Sequence, residues 1–242
     1  MHRKTSTIVA IAVAAVLMAL QPVVVHAACT PNRTAATETH QVGMVLGANE
    51  GVNYTALKAT FELNEPYVHG GTSYMYLGLR DTSSSATVNF GIKKSATSGN
   101  WVGYMYVRDA HGDVQTTPTF DPYSYDLNNA VWLEVRKQSY TDADGSSRHR
   151  WRFYANGTLI HSSVGEFWFD FGTFTQSYAY GKIENRRSQM PGGTSDHTSV
   201  TNAWYWTNVG NASWSGTPVG YNTTYFGFTE SPFEFWDKYC PS

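Results

Sequence analysis

The chain has 242 residues, 17 of them basic and 19 acidic, for a net charge of −2. That balance supplies neither the basic surface that nucleic acid demands nor a cationic segment for a membrane surface. Hydrophobic residues make up 41% and aromatic residues 15%, enough for a sizeable core and rich in the side chains of pleated sheets.

The first residues read as a targeting segment. Arg3 and Lys4 precede an apolar run from Ile8 to Leu20, and Val25-His26-Ala27 ends with small residues where a signal peptidase cuts. The run is shorter than the ~20 residues that span a bilayer as a helix. The expectation is a cleaved signal over 1–27, a secreted extracellular protein with no membrane span in its mature chain, and one domain over 28–242. Cleavage would remove Arg3 and Lys4, so 17 basic residues less two leaves 15 against 19 acidic, a net charge of −4. Cys29 and Cys240 are the two cysteines of the chain, and an exported protein is expected to bridge them.

Helical periodicity is nearly absent downstream, whereas alternation recurs from end to end. In residues 54–63, Leu57, Ala59, Phe61 and Leu63 share one face. YMYLGLRD sets Met75, Leu77 and Leu79 against Tyr74, Tyr76 and Arg80. ATVNFGI and GYMYVRD continue the pattern, with a turn expected at His111-Gly112-Asp113. VWLEVRK then opposes Val131, Leu133 and Val135 to Trp132, Glu134 and Arg136. Asp144-Gly145 marks a hairpin between LEVRKQSY and RHRWRFY, and Asn156-Gly157 a second turn leading into TLIHSS. SYAYGKIENRR, residues 177–187, places Tyr178, Tyr180, Lys182, Glu184 and Arg186 at every second position, with Ala179, Gly181 and Ile183 on the other face. Many short alternating strands and 21 glycines predict an all-β, antiparallel two-sheet β-sandwich.

The succession YLGLRD, ATVNFGI, WVGYMYVRD, VWLEVRK, DADG hairpin and WRFYANGTLIHSS resembles the concanavalin A-like lectin and glucanase jelly rolls, across residues 40 to 235. That resemblance implies two curved antiparallel sheets, one of them forming a groove. YLGLRDTSSSATVNFGI and YAYGKIEN are also similar to two strands of the glutamic peptidases (eqolisins), which share this sandwich. The resemblance implies that Glu184 stands at the catalytic glutamate and Asn89 at the catalytic glutamine, where Asn is one methylene shorter. The Glu-x-Asp-x-x-Glu strand motif of the glucanases is absent.

If the alternating strands shared one sheet, their polar faces would merge into a surface weighted to Tyr, Trp and Arg. Such residues make contacts at low entropy cost, and aromatic rings stack on the apolar faces of sugars. The expected ligand-binding residues are Tyr74, Tyr76, Trp132, Glu134, Arg136, Arg152, Tyr178, Tyr180, Glu184 and Arg186, for a glycan or other extended extracellular ligand. A catalytic alternative uses Glu184 with Glu134 or Asn89 in hydrolysis, since glycosidases need two nearby carboxylates. A structural reading, a sheet face stiffened by aromatic pairs and salt bridges, stays open as well. No cofactor or paired metal motif is visible, and Asp142 and Asp144 suit either a calcium ion or a plain turn.

Overall fold

The computed structural model describes residues 29–240 apart from 32, 48–51, 85, 111, 113, 117, 118 and 163–173. The expected signal segment lies outside the described residues, as do His111 and Asp113 of the expected turn. In chain order the strands begin with β1 (Thr37–Gly47), β2 (Tyr54–Glu62), β3 (Thr72–Arg80), β4 (Thr87–Ser95), β5 (Val102–Arg108) and β6 (Val114–Thr116). After a 3-10 turn at Pro122–Tyr125 come β7 (Ala130–Thr141), β8 (Ser147–Ala155), β9 (Thr158–Ser162) and β10 (Gln176–Asn185). The rest are β11 (Gly192–Gly193), β12 (Asp196–Thr207), β13 (Asn211–Ser213), β14 (Thr217–Tyr221), β15 (Phe226–Glu230) and β16 (Phe233–Asp237).

These strands form two antiparallel sheets. The first is ordered β14-β1-β10-β3-β4-β5-β6, and the second β15-β16-β12-β2-β7-β8-β9, with β11 and β13 attached to β12. The side-chain period of two decides what lies between them. Val42, Met44, Met75, Leu77, Leu79, Val88, Phe90, Ile92 and Ile183 of the first sheet meet Leu57, Phe61, Leu133, Val135, Phe153 and Phe235 of the second in one core cluster. Rings from the two sheets touch there, Phe90 against Phe153 at 5.2 Å. Burying each such side chain contributes about 1.5–3 kcal/mol relative to leaving it in water. The all-β sandwich read from the alternation is the architecture observed.

The chain ends are tied to each other. Cys29 and Cys240 form the expected disulfide, with an S–S distance of 2.07 Å. It closes a loop across a sequence separation of 211, which the chain-entropy model values at about 5 kcal/mol. Beside it the buried Arg33 guanidinium forks onto Asp237, NH1 to Oδ1 at 2.9 Å and NH2 to Oδ2 at 2.6 Å. Its Nε donates to the Arg186 carbonyl and NH2 also to the Ser188 carbonyl, so this buried charge is fully met. Among the described residues, no helix is long and apolar enough to cross a membrane.

Candidate functional site

The outward positions of β3, β4, β5 and β10 form one continuous surface, the outer face of the first sheet. Register sets Tyr180 opposite Tyr76, Tyr178 opposite Gly78, Asn89 opposite Gly78 and Tyr106, and Gly91 between Tyr76 and Tyr104. Tyr74, Tyr76, Tyr104, Tyr178 and Tyr180 are linked ring to ring, with centroids 5.1–6.4 Å apart. Most of these contacts are edge to face, with interplanar angles of 67–89° in four of the six, the arrangement that aromatic quadrupoles favour. Glycines make the cluster possible. A Cβ on Gly43 would strike the Tyr180 ring, and one on Gly78 would stand 2.6 Å from the Tyr178 ring. The rings therefore lie down against bare backbone, which leaves Tyr178 4% and Tyr180 7% exposed.

That burial settles the protonation of the cluster. Desolvation drives Tyr178 and Tyr76 well above the ordinary tyrosine range, with neighbouring tyrosines adding to it and Arg80 opposing. Tyr104 is pushed up to about 12, chiefly by burial, against a hydrogen bond from the Asn89 side chain that lowers it. Tyr74 and Tyr180 are raised by burial too, and Glu184 beside Tyr74 raises that group further. All five hydroxyls are therefore neutral at physiological pH and able to donate. The Tyr178 hydroxyl donates to Asn89 Oδ1.

The second sheet's outer face has a different make-up. Trp132, Glu134 and Arg136 of β7 lie beside Lys58 of β2 and Arg152 and Tyr154 of β8. Lys58 Nζ stands 5.2 Å from the Trp132 ring centroid, 5.5 Å from Trp206 and 6.0 Å from Trp204. Glu134 is only 4% exposed, and Arg136 binds its Oε1 through Nε at 2.7 Å while lying over Tyr154. Among the described residues, Trp132 Nε1 and Arg152 Nε are buried donors without a hydrogen-bond partner.

The expected site thus divides between two surfaces. Tyr74, Tyr76, Tyr178, Tyr180 and Glu184 belong to the first sheet, and Trp132, Glu134, Arg136 and Arg152 to the second, with the core between. Glu134 and Glu184 cannot serve as a catalytic pair, because their carboxylates lie on opposite outer faces. Asn89 and Glu184 do share a face, yet they do not meet. Asn89 lies in register with Tyr178, and the six residues from Tyr178 to Glu184 span roughly 20 Å of strand. The side chain that meets Asn89 is Tyr178. Arg186 follows the end of β10, where its Nε donates to the Thr34 carbonyl at 3.1 Å, away from the tyrosines. Asp142 and Asp144 both bind Arg148, at 2.6 and 3.0 Å, and cap their own turn through the Ala143 and Ser146 amides. Those carboxylates are engaged in a hairpin turn.

Sequence reasoning missed Tyr104, Lys58, Trp204 and Trp206. The alternation in GYMYVRD and AWYWT was the available signal for three of them.

No protein-family model matches the chain, and neither does any curated protein. Among solved structures it is similar to scytalido-glutamic peptidase bound to a transition-state analogue inhibitor, at 13% identity, over 85% of this chain and 100% of that one, with a TM-score of 0.49. It is also similar to SCP-B, a member of the Eqolisin family of peptidases, in complex with a tripeptide, at 12% identity over 86% and 100% with a TM-score of 0.41. A third is the CBM40 of a Ruminococcus gnavus sialidase bound to α2,3-sialyllactose, at 10% identity over 64% and 89% with a TM-score of 0.32. The first two are glutamic peptidases, one of the two groups that the sequence resembles. The sandwich stands on this chain's own strand pairings, and the chemistry on its own residues.

Proposed function

We propose that this is a secreted binding protein that holds an extended glycan on the tyrosine-lined outer face of the first sheet. The supporting observation is the packed set of five tyrosines whose hydroxyls stay protonated. Rings locked against glycine lose little freedom on binding. The hydroxyls of the partly exposed Tyr74, Tyr76 and Tyr104 therefore act as preorganised donors to a ligand rich in hydroxyl groups, on a base formed by the buried Tyr178 and Tyr180. Glu184 is the single acidic residue in β3, β4, β5 and β10. The paired carboxylates of glycoside hydrolysis are therefore not supplied by these strands, which favours binding over cleavage.

The disulfide accords with export, since such bridges persist in oxidising compartments.

Glycan-array binding of Tyr74→Phe and Tyr104→Phe tests this reading. Each variant removes one hydroxyl and should weaken binding roughly threefold to tenfold, the range for one hydrogen bond. Trp204→Ala, on the tryptophan face, is the control and should bind as the parent does. Loss of binding in Trp204→Ala with both tyrosine variants intact would assign the ligand to the other face. Absence of any glycan ligand would overturn the reading itself.

A further inference from the structure

We infer that the ligand of the tyrosine face is an acidic linear glycan, carrying carboxylates or sulfates and lying along the strands. The inference rests on the glycan-binding reading and deepens it. Four cations frame the tyrosines in two pairs. Register sets Arg80 and Arg108 on either side of Thr87 at one end. At the other end, Lys93 and Lys182 flank Tyr74. Members of a pair are two strands apart, about 10 Å, and the six residues from Tyr74 to Arg80 separate the pairs by roughly 20 Å along the sheet.

Three of the four lie against tyrosine rings. Arg80 stands 5.7 Å from Tyr178, Lys93 5.6 Å from Tyr104 and Lys182 5.0 Å from Tyr74. Such contacts orient a cation without neutralising it. Among the described residues, no carboxylate lies within ion-pair distance of Arg80, Lys93 or Arg108. Lys182 is paired with Glu184 at 3.1 Å. A face with four cations and one carboxylate departs in sign from a chain whose net charge is −2. It focuses a positive field on a surface of neutral hydroxyl donors. Anionic groups at both ends of a hydroxylated chain would meet the cations and the tyrosines together. Single-stranded nucleic acid needs open ring faces for its bases, whereas these rings turn edges and faces to one another.

Titration calorimetry with polygalacturonate, its carboxyl-reduced neutral counterpart, heparin and single-stranded DNA tests the inference. Polygalacturonate or heparin should bind at least tenfold tighter than the neutral chain, and the preference should shrink as salt rises. Polygalacturonate, which carries carboxylates alone, shows whether carboxylates suffice, and tighter binding of heparin, which carries carboxylates and sulfates, assigns a contribution to sulfate. Lys93→Gln combined with Arg108→Gln removes one cation from each end. It should weaken acidic binding roughly tenfold, as for two lost and partly exposed charge pairs, at an unchanged melting temperature. Glu184→Gln should tighten binding by releasing Lys182. Oligogalacturonates too short to span both pairs should lose sensitivity to one of the two substitutions. Equal binding of neutral and acidic chains overturns the acidic inference and leaves the glycan reading standing. Binding of none of the glycans, or tighter binding of DNA, overturns both.

Discussion

On the first sheet, tyrosines lie on glycines and the surrounding cations keep their charge available, whereas on the second, tryptophans enclose Lys58 and a buried glutamate holds Arg136. The two surfaces have similar aromatic weight. What separates them is where the polar groups are spent. Glu134 accepts from Arg136, and Lys58 lies enclosed by indoles, so these two charges of that side are held within the molecule. Glu184, with a side chain 31% exposed, engages Lys182 alone among the four cations of its face. An aromatic, charged row is therefore not a binding site by composition. The test is whether its exposed polar groups already have partners inside the protein.

The largest expected effect strikes the foundation of the tyrosine face. Gly78→Ala would push a methyl into the Tyr178 ring and Asn89 Oδ1, and Gly43→Ala would meet the Tyr180 ring and the Ala179 carbonyl. Each should cost about 1–3 kcal/mol, the range for overpacking, read as a lower denaturation midpoint. If both variants keep parental stability, the rings are loose enough to move aside and the cluster is not preorganised.

The two glutamates come next. Glu134→Gln leaves Arg136 without its carboxylate at a buried position and should cost about 1–2 kcal/mol of stability with no change in ligand binding. Glu184→Gln, at the more exposed site, should change stability by less than about 0.5 kcal/mol. The opposite ranking in thermal melts would reverse the contrast between the faces.

Alternation alone identified the inner side of each strand. Leu57, Phe61, Leu77, Leu79, Leu133, Val135 and Ile183 were read as inward-facing, and all are buried in the core cluster. The same alternation does not say which strands are neighbours. β2 and β3 follow each other in the chain yet lie in different sheets, while β3 pairs with β10, some hundred residues later. Merging β7 with β3 and β10 put Glu134 beside Glu184 and made one site of two. The glycine seats were hidden for the same reason. Gly43 and Gly78 matter because of the residues opposite them, and that depends on long-range register. The disulfide was easier to read, because two cysteines leave a single pairing.

The tyrosine face also predicts a pH response. An unfolded tyrosine ionises near pH 10, whereas burial raises the folded values of Tyr76, Tyr178 and Tyr104, the last to about 12. The unfolded state therefore loses protons first as pH rises, and the stability held below about pH 10 should decline between there and pH 12. Tyrosinate absorbance should report a set of tyrosines that ionise only as the fold is lost. Complete ionisation near pH 10 in a protein still folded by circular dichroism would show that the rings are open to water.

The smallest effect is the most direct comparison, because each face has a lysine over an aromatic ring. Lys93 Nζ lies 5.6 Å from the Tyr104 centroid, and Lys58 Nζ lies 5.2 Å from that of Trp132. Cation–π contacts of this kind contribute about 0.5–1 kcal/mol at partly exposed sites. Lys58 is enclosed by two further indoles, Trp206 at 5.5 Å and Trp204 at 6.0 Å, so Lys58→Met should lower the melting temperature slightly and leave ligand affinity untouched. Lys93 has no carboxylate partner among the described residues, and its charge is turned toward whatever lies above Tyr104. Lys93→Gln should therefore leave the melting temperature within about 1–2 °C of the parent and weaken the binding of an acidic ligand. The two lysines differ little in their distance to the nearest ring and much in enclosure, three indoles around Lys58 against one tyrosine ring beside Lys93. If both variants shift stability alike and neither shifts affinity, the enclosure of the cation does not separate the faces, and the tyrosine surface is as self-contained as the tryptophan one.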